Sequence, residues 1–202
     1  MRRRLSRTVV VGAAAVVAER GVDQVTMASV AAELGVTAMA LYQHVNDKEH
    51  LLTLVLDARL ELIEVPSATD ADWHVLLRNY HLAIVEAMSH YPGLLTEITH
   101  SDQAARLLEG YLQILLAAGF DDLGAATAYT GLYYLAMGAQ HPYPAHAAAT
   151  PAATPPANPA HQATARAARA LRNATAQEMQ ASAVDAYITG LRNQCGSRRS
   201  GE

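Results

Sequence analysis

Apolar positions recur every three to four residues along most of the chain, the spacing of amphipathic helices, and no stretch alternates as a half-buried strand does. Ser6 can cap a first helix over 6–20 that closes at Gly21, with Val9, Val10, Ala13, Val16 and Val17 as its apolar stripe. "GVDQVT" is a connector. Thr26 caps a second helix, 27–34, with Val30, Ala31 and Leu34 on one side, and Gly35 ends it as a left-handed C-cap residue. Thr37 caps a third, 38–44, with Leu41 and Val45 turned inward. Asn46 or Asp47 opens a fourth, 47–65, which carries Leu51, Leu52, Val55, Ala58 and Leu62 as far as Pro66.

The pattern then changes. "PSATDAD" is a turn-rich hinge, followed by a long helix over 71–90 and a short one over 93–99. Further helices span 102–118, ended by Gly119, and 122–139. The run "HPYPAHAAATPAATPPANP" holds six prolines in nineteen residues, so 140–161 is a Pro/Ala-rich loop or link. Helical sequence resumes near Gln162, and a final helix covers 175–194. The fold class is all-α: an N-terminal three-helix unit at 1–48, a connecting fourth helix, and a larger helical domain at 66–202.

Composition adds little to this picture but excludes several classes. Half of the 202 residues are hydrophobic, many of them alanine, the best helix former. A single cysteine, Cys195, rules out a disulfide framework within one chain and suits a reducing cytoplasm. No apolar run reaches the roughly 18 residues of a membrane span. The opening "MRRRLSRTVVVGAAAVVAER" imitates a secretory signal, but Glu19, Arg20 and Gly21 close it as a helix closes.

Charge is uneven. Residues 1–48 carry Arg2, Arg3, Arg4, Arg7, Arg20 and Lys48 against Glu19, Asp23, Glu33 and Asp47, whereas the chain as a whole has a formal charge of −4. A basic arm on an otherwise acidic chain points to a polyanion at that end, the alternative being a solvated tail.

Two short helices joined by a glycine turn, Thr26 to Val45, form a helix-turn-helix, whose second helix enters the DNA major groove. With Leu41 and Val45 anchoring it, Thr37, Ala38, Met39, Tyr42, Gln43 and His44 face outward. Tyr42 and His44 can reach phosphates, which position without reading sequence. Gln43 can bond adenine edges, and Ala38 or Met39 can touch thymine methyls. Lys48, the only lysine, stands at a helix start, where its charge and the helix N-terminus both favour phosphate.

The stretch "TMASVAAELGVTAMALYQHVNDKEHLL" resembles the DNA-binding domain of TetR-type transcriptional repressors. Thr26, Val30, Ala31, Leu34, Gly35, Val36, Leu41, Tyr42, His44, Val45, Lys48, Leu51 and Leu52 carry the likeness, and "LYQHV" is most like the tetracycline-repressor-like members. The resemblance implies a three-helix head, a ligand-binding body, and pairing of two bodies through their last two long helices. An inducer would move the fourth helix and release the operator. It carries phosphate and base contacts to Thr26, Thr37, Tyr42, His44 and Lys48; Arg4 and its neighbours add contacts from the arm. Gln43 departs from an aromatic in the tetracycline-repressor-like members. Met27 and Ala28 stand where polar or basic base readers are common, so fewer bases would be read.

In the body, small residues on 122–139 and on the last helix permit close approach. Ala125, Ala128, Leu132, Ala183, Tyr187 and Leu191 are candidates for a two-fold dimer interface, the alternative being packing within one chain. Trp73, Tyr80, His81, His100, Tyr111, Tyr129 and Tyr133 are candidates to line a small-molecule cavity, which needs apolar walls with a few polar groups. No Cys/His spacing suggests a zinc site. No phosphate-binding loop or G-x-S-x-G motif suggests an enzyme. The expected partners are double-stranded operator DNA, a small-molecule effector and a second copy of the chain, with neither cofactor nor membrane. A helical adaptor that binds protein instead of DNA is the alternative, and weak dependence of binding on salt would favour it.

Overall fold

The structure is a computed structural model and describes residues 4–67, 72–91, 94, 101–140 and 174–199, with the backbone alone at 140 and 196–199. Arg2, Arg3, His100, most of the 93–99 segment and the Pro/Ala-rich 141–161 stretch lie outside the described residues. Among those described there are eight α-helices, one short 3-10 turn at Val22–Gln24 and no strand: α1 Arg7–Ala18, α2 Met27–Leu34, α3 Ala38–Leu41, α4 Lys48–Leu60, α5 Trp73–Ser89, α6 Asp102–Ala117, α7 Asp122–Gln140 and α8 Ala176–Arg199.

Local chemistry sets most of the boundaries. Ser6 Oγ accepts from Val9 N (3.3 Å) at the start of α1. Thr26 and Ser29 cap each other at α2, Asp47 accepts from His50 N (2.8 Å) at α4, and Asp121 accepts from Gly124 N (2.7 Å) at α7. At α8, Thr175 and Glu178 form the same reciprocal box, and the donors of Thr175 hold the Glu178 carboxyl below its usual range. At the other ends, Gly35 has φ +65°. The N–H groups of Gly35 and Val36 return to the carbonyls of Ala32 and Ala31, the Schellman arrangement that a left-handed residue permits. Gly119 closes α6 in the same way.

The chain divides into two compact units, residues 1–68 with 83–113, and residues 69–82 with 114–202. In the first, α1, α2, α3 and α4 enclose a core of Val10, Ala14, Val17, Val30, Leu41, Val45, Leu51, Leu52, Val55 and Leu56. The stripe on α1 is turned relative to the sequence expectation. Ala14 and Ala18 are buried, while Val16 is 42% exposed, because the small residues let α2 and α4 approach on that side. Burial of this aliphatic set stabilises the head at roughly 25 cal/mol per Å² of apolar surface removed from water.

The fourth helix is shorter than its pattern suggested. It ends at Leu60, and a carbonyl at its end and one just beyond it are met by a side chain: Arg106 of α6 donates through Nη2 to Leu60 O (2.9 Å) and Ile63 O (3.1 Å). A guanidinium at a helix C-terminus satisfies orphan acceptors and opposes the negative end of the dipole. Ser101 ties the two segments again, donating to Asp57 Oδ1 (2.6 Å) while capping Ala104 N (2.9 Å).

In the second unit α7 packs on α8. The Tyr187 ring lies over Gly131, where any β-carbon would come within 2.1 Å of the phenol oxygen. That hydroxyl donates to Ala128 O (3.2 Å) and lies 3.4 Å from Thr127 O. Arg78 of α5 makes a two-armed pair with Asp185 of α8, one arm Nη2 to Oδ2 at 3.1 Å. Cys195 donates its thiol to Ala118 O (3.3 Å). Among the described residues no helix is long and apolar enough to cross a membrane, and no three His, Cys, Asp or Glu side chains are grouped to hold a metal ion.

Candidate nucleic-acid interface

The second helix of the helix-turn-helix is a single turn. Regular α-helix covers Ala38–Leu41, and residues 42–44 finish it as a tighter turn, with His44 N and Val45 N both donating to Leu41 O (2.8 and 3.1 Å). Tyr42, Gln43 and His44 therefore sit on that closing turn and not on an extended helix over 38–44. Thr37 precedes the helix with extended backbone but makes no side-chain cap bond, so its hydroxyl is not committed to the helix start.

Two inward side chains seat this element: Leu41 is fully buried and Val45 nearly so. The opposite side is open. Met39 is 76% exposed and Tyr42 51% exposed, and Thr26, Thr37 and Gln43 are exposed beside them. Ala38, His44 and Lys48 are half-buried, and Arg4 is exposed ahead of α1. A thioether and a phenol thus stand in water on an element seated from below, one offering apolar contact and the other a hydrogen-bonding hydroxyl.

Two contacts at this corner were not visible in the sequence. Arg7 of α1 donates through Nε to the carbonyl of His44 (3.2 Å), so one guanidinium from the basic start of the chain holds the end of the turn that follows α3. At the following turn, Asn46 N donates to His50 Nδ1 (3.2 Å) while His50 N donates to Asp47. Capping statistics suggest Asp47, but nothing in the residue pattern singles out an imidazole as the acceptor one turn into α4.

The ligand candidates are placed as follows. In the second unit Tyr80 and His81 are buried, Trp73 stands edge-on to Phe120 (ring centroids 5.5 Å apart), and Tyr129 and Tyr133 are neighbours at 6.3 Å. Burial pushes the His81 imidazole down to about 4 and raises the Tyr129 phenol, the latter helped by Tyr133. Tyr133 is 43% exposed. Tyr111 is buried in the first unit, and His100 lies outside the described residues.

Of the dimer candidates, Ala125, Ala128, Leu132 and Leu191 are buried within one chain, and Tyr187 is half-buried on α7. Of the six, Ala183 alone is exposed. The faces of these helices that stay open carry other residues: Leu123, Thr127, Thr130 and Tyr134 on α7, and Ala183, Ala186 and Gly190 on α8.

Residues 9–55 match the family described as bacterial regulatory proteins, tetR family. No curated protein sequence matches the chain. Among solved structures, the chain is similar to apo ActR from Streptomyces coelicolor, with a TM-score of 0.79 at 18% identity over 97% of this chain and 99% of that one. ActR in complex with actinorhodin matches with a TM-score of 0.73 at 19% identity, covering 93% of this chain and 95% of that one. TetR from Acinetobacter baumannii matches with a TM-score of 0.70 at 22% identity, over 95% and 99% of the two chains. The all-helical fold of these regulators extends through nearly the whole length of the chain.

Proposed function

We propose that this chain, whose residues 9–55 match the tetR family and whose fold is similar to that of ActR, is a ligand-responsive repressor that binds a palindromic operator as a homodimer and is released by a small-molecule inducer. The observation that carries the reading is the open side of α3: Met39 and Tyr42 stand in water on an element that Leu41 and Val45 seat in the core. In this reading Met39 and Ala38 touch thymine methyls and Gln43 reads a base edge. Tyr42, His44, Thr26, Thr37 and Lys48 hold phosphates, and Arg4 adds a contact from the arm. It acts in the cytoplasm, where the chromosome is, and it is a regulator and not an enzyme.

Two heads bind half-sites about one helical turn, roughly 34 Å, apart. The second copy docks on the open faces of α7 and α8, where Ala183, Ala186 and Gly190 admit a close neighbour and Leu123 and Tyr134 supply apolar area. Trp73, Tyr80, His81, Tyr129 and Tyr133 of the second unit are the aromatic and imidazole groups from which an inducer site would be built. That ActR is solved with actinorhodin bound supports an organic ligand of the same general kind. The fold is shared, and the inducer is for this chain to reveal.

The test is selection of duplexes from a random-sequence pool by the purified chain. Enrichment of an inverted repeat, bound with an even number of chains per duplex, is the expected result. A pool that stays random after repeated rounds would contradict the repressor reading and bring the protein-binding adaptor forward.

A further inference from the structure

The turn between α3 and α4 is closed by a reciprocal pair of hydrogen bonds. Asp47 Oδ1 accepts from His50 N (2.8 Å), and His50 Nδ1 accepts from the backbone N–H of Asn46 (3.2 Å). This is a capping box in which an imidazole does the work usually given to a carboxylate or amide at the third helical position, and it reaches one residue further upstream. The substitution changes the chemistry. A neutral imidazole offers one acceptor nitrogen, and here that nitrogen is Nδ1, so the proton must reside on Nε2. A protonated imidazole offers only donors. Its Nδ1–H would then face the Asn46 N–H, and the bond that closes the turn is lost.

We infer that His50 is a positioning residue for DNA binding: in its neutral form it holds the turn that sets Tyr42 and His44 at their distance from Lys48, and protonation releases that hold. The inference rests on the DNA-binding reading above. Tyr42 and His44 lie before the turn and Lys48 after it, so its geometry fixes how these three meet successive phosphates. Rigid support of such contacts is what turns a set of side chains into a site. The far side of the same corner is held by Arg7, whose Nε donates to His44 O (3.2 Å). The other charged or titratable groups of the corner are Asp47, Lys48 and Glu49 at the start of α4, His44 at the end of the recognition turn, and Arg7 from α1. His44 is a second imidazole at the same corner, so the comparison is made between variants and not on a bare pH profile.

The experiment separates the two imidazoles by comparing variants at one pH. His50→Asn places an amide oxygen near the position of Nδ1, an acceptor that no acid in the working range removes. His50→Ala has no acceptor. Wild type and both variants are titrated onto a duplex that wild type has selected from a random-sequence pool, at about pH 8 and about pH 5.5, on either side of the imidazole range. At the higher pH, His50→Asn is expected to bind within about two-fold of wild type and His50→Ala about five-fold more weakly, the worth of one net hydrogen bond. At the lower pH, His50→Asn is expected to bind about five-fold more tightly than wild type, whose own bond is now broken. A ratio of His50→Asn to wild type that is the same at both values overturns the inference. A second readout needs no DNA. In the wild-type chain the Asn46 amide resonance should titrate with the His50 ring, and an Asn46 amide that ignores it overturns the inference even if DNA binding fails. If wild type selects no duplex, the DNA-binding reading falls, and the amide titration still decides whether His50 closes the turn.

Discussion

Replacing Gly131 with alanine should destabilise the chain, although alanine is the better helix former. In the middle of α7 the exchange on propensity alone would stabilise by about 1 kcal/mol. The structure opposes it: the new β-carbon would lie 2.1 Å from the Tyr187 oxygen, 2.4 Å from Cζ and 2.9 Å from Cε2. The ring must leave its notch. Its hydrogen bond to Ala128 O, 3.2 Å long, goes with it, a loss of about 1 kcal/mol. Forcing a side chain out of a packed position adds about 1–3 kcal/mol. The net expectation is a loss of roughly 1–3 kcal/mol by these terms. With Tyr187→Ala in place the notch is empty, and the sign should reverse: Gly131→Ala then stabilises by about 1 kcal/mol. The pair is therefore coupled by about 2–4 kcal/mol. Urea unfolding followed by helical circular dichroism, at one protein concentration for all four chains of the cycle, measures it. A Gly131→Ala chain more stable than wild type with Tyr187 present would refute the packing of α8 on α7 described above.

Other expectations follow from the same coordinates. Tyr42→Ala should weaken binding to a selected duplex by about 1 kcal/mol or more with helical content unchanged, because the ring is half exposed and supports nothing in the core; unaltered affinity would place the phosphate contacts elsewhere. Removing residues 1–5 should weaken binding to all duplexes alike and flatten the dependence on salt, since each lost phosphate contact releases fewer counterions. Arg106→Ala strips the partners from Leu60 O and Ile63 O and should cost about 2 kcal/mol of stability, read by the same urea assay. His81 is buried with its imidazole lowered to about 4, so the unfolded chain binds more protons than the folded one from about 6.5 down to about 4. Stability should fall across that window by about 2–3 kcal/mol as pH drops, and His81→Phe should remove this part of the pH dependence; an identical slope in the variant would show that other groups carry it.

What could be read from the sequence was what is local in it. Ser6, Thr26, Asp47 and Asp121 each cap a donor three residues ahead, and Gly35 and Gly119 each turn the chain at the end of their own helix. Such signals lie within one window of residues. The helix-turn-helix was legible for this reason, and so were Leu41 and Val45 as its anchors. The contacts between distant parts of the chain were not. Arg7 meets His44 across 37 positions, Arg106 meets Leu60 across 46, and Tyr187 meets Ala128 across 59. No periodicity encodes a partner at that distance. The small residues of α7 and α8 show a second limit. Periodicity identifies a face that wants a close neighbour, but not whether the neighbour is in the same chain. Ala125, Ala128 and Leu132 are buried within the chain, and the exposed positions around the helix include Leu123, Thr127 and Tyr134.

The claim on which the rest depends is specific binding to DNA through the exposed side of α3. The most direct measurement is fluorescence anisotropy of the full chain on a labelled duplex taken from the selected pool, with unlabelled random-sequence duplex as competitor, repeated over a series of salt concentrations. The account predicts binding that resists the competitor and weakens steeply with salt, log K falling by about 0.9 for each phosphate contact per tenfold rise in concentration. Affinity equal to that for random duplex, with little response to salt, would contradict it.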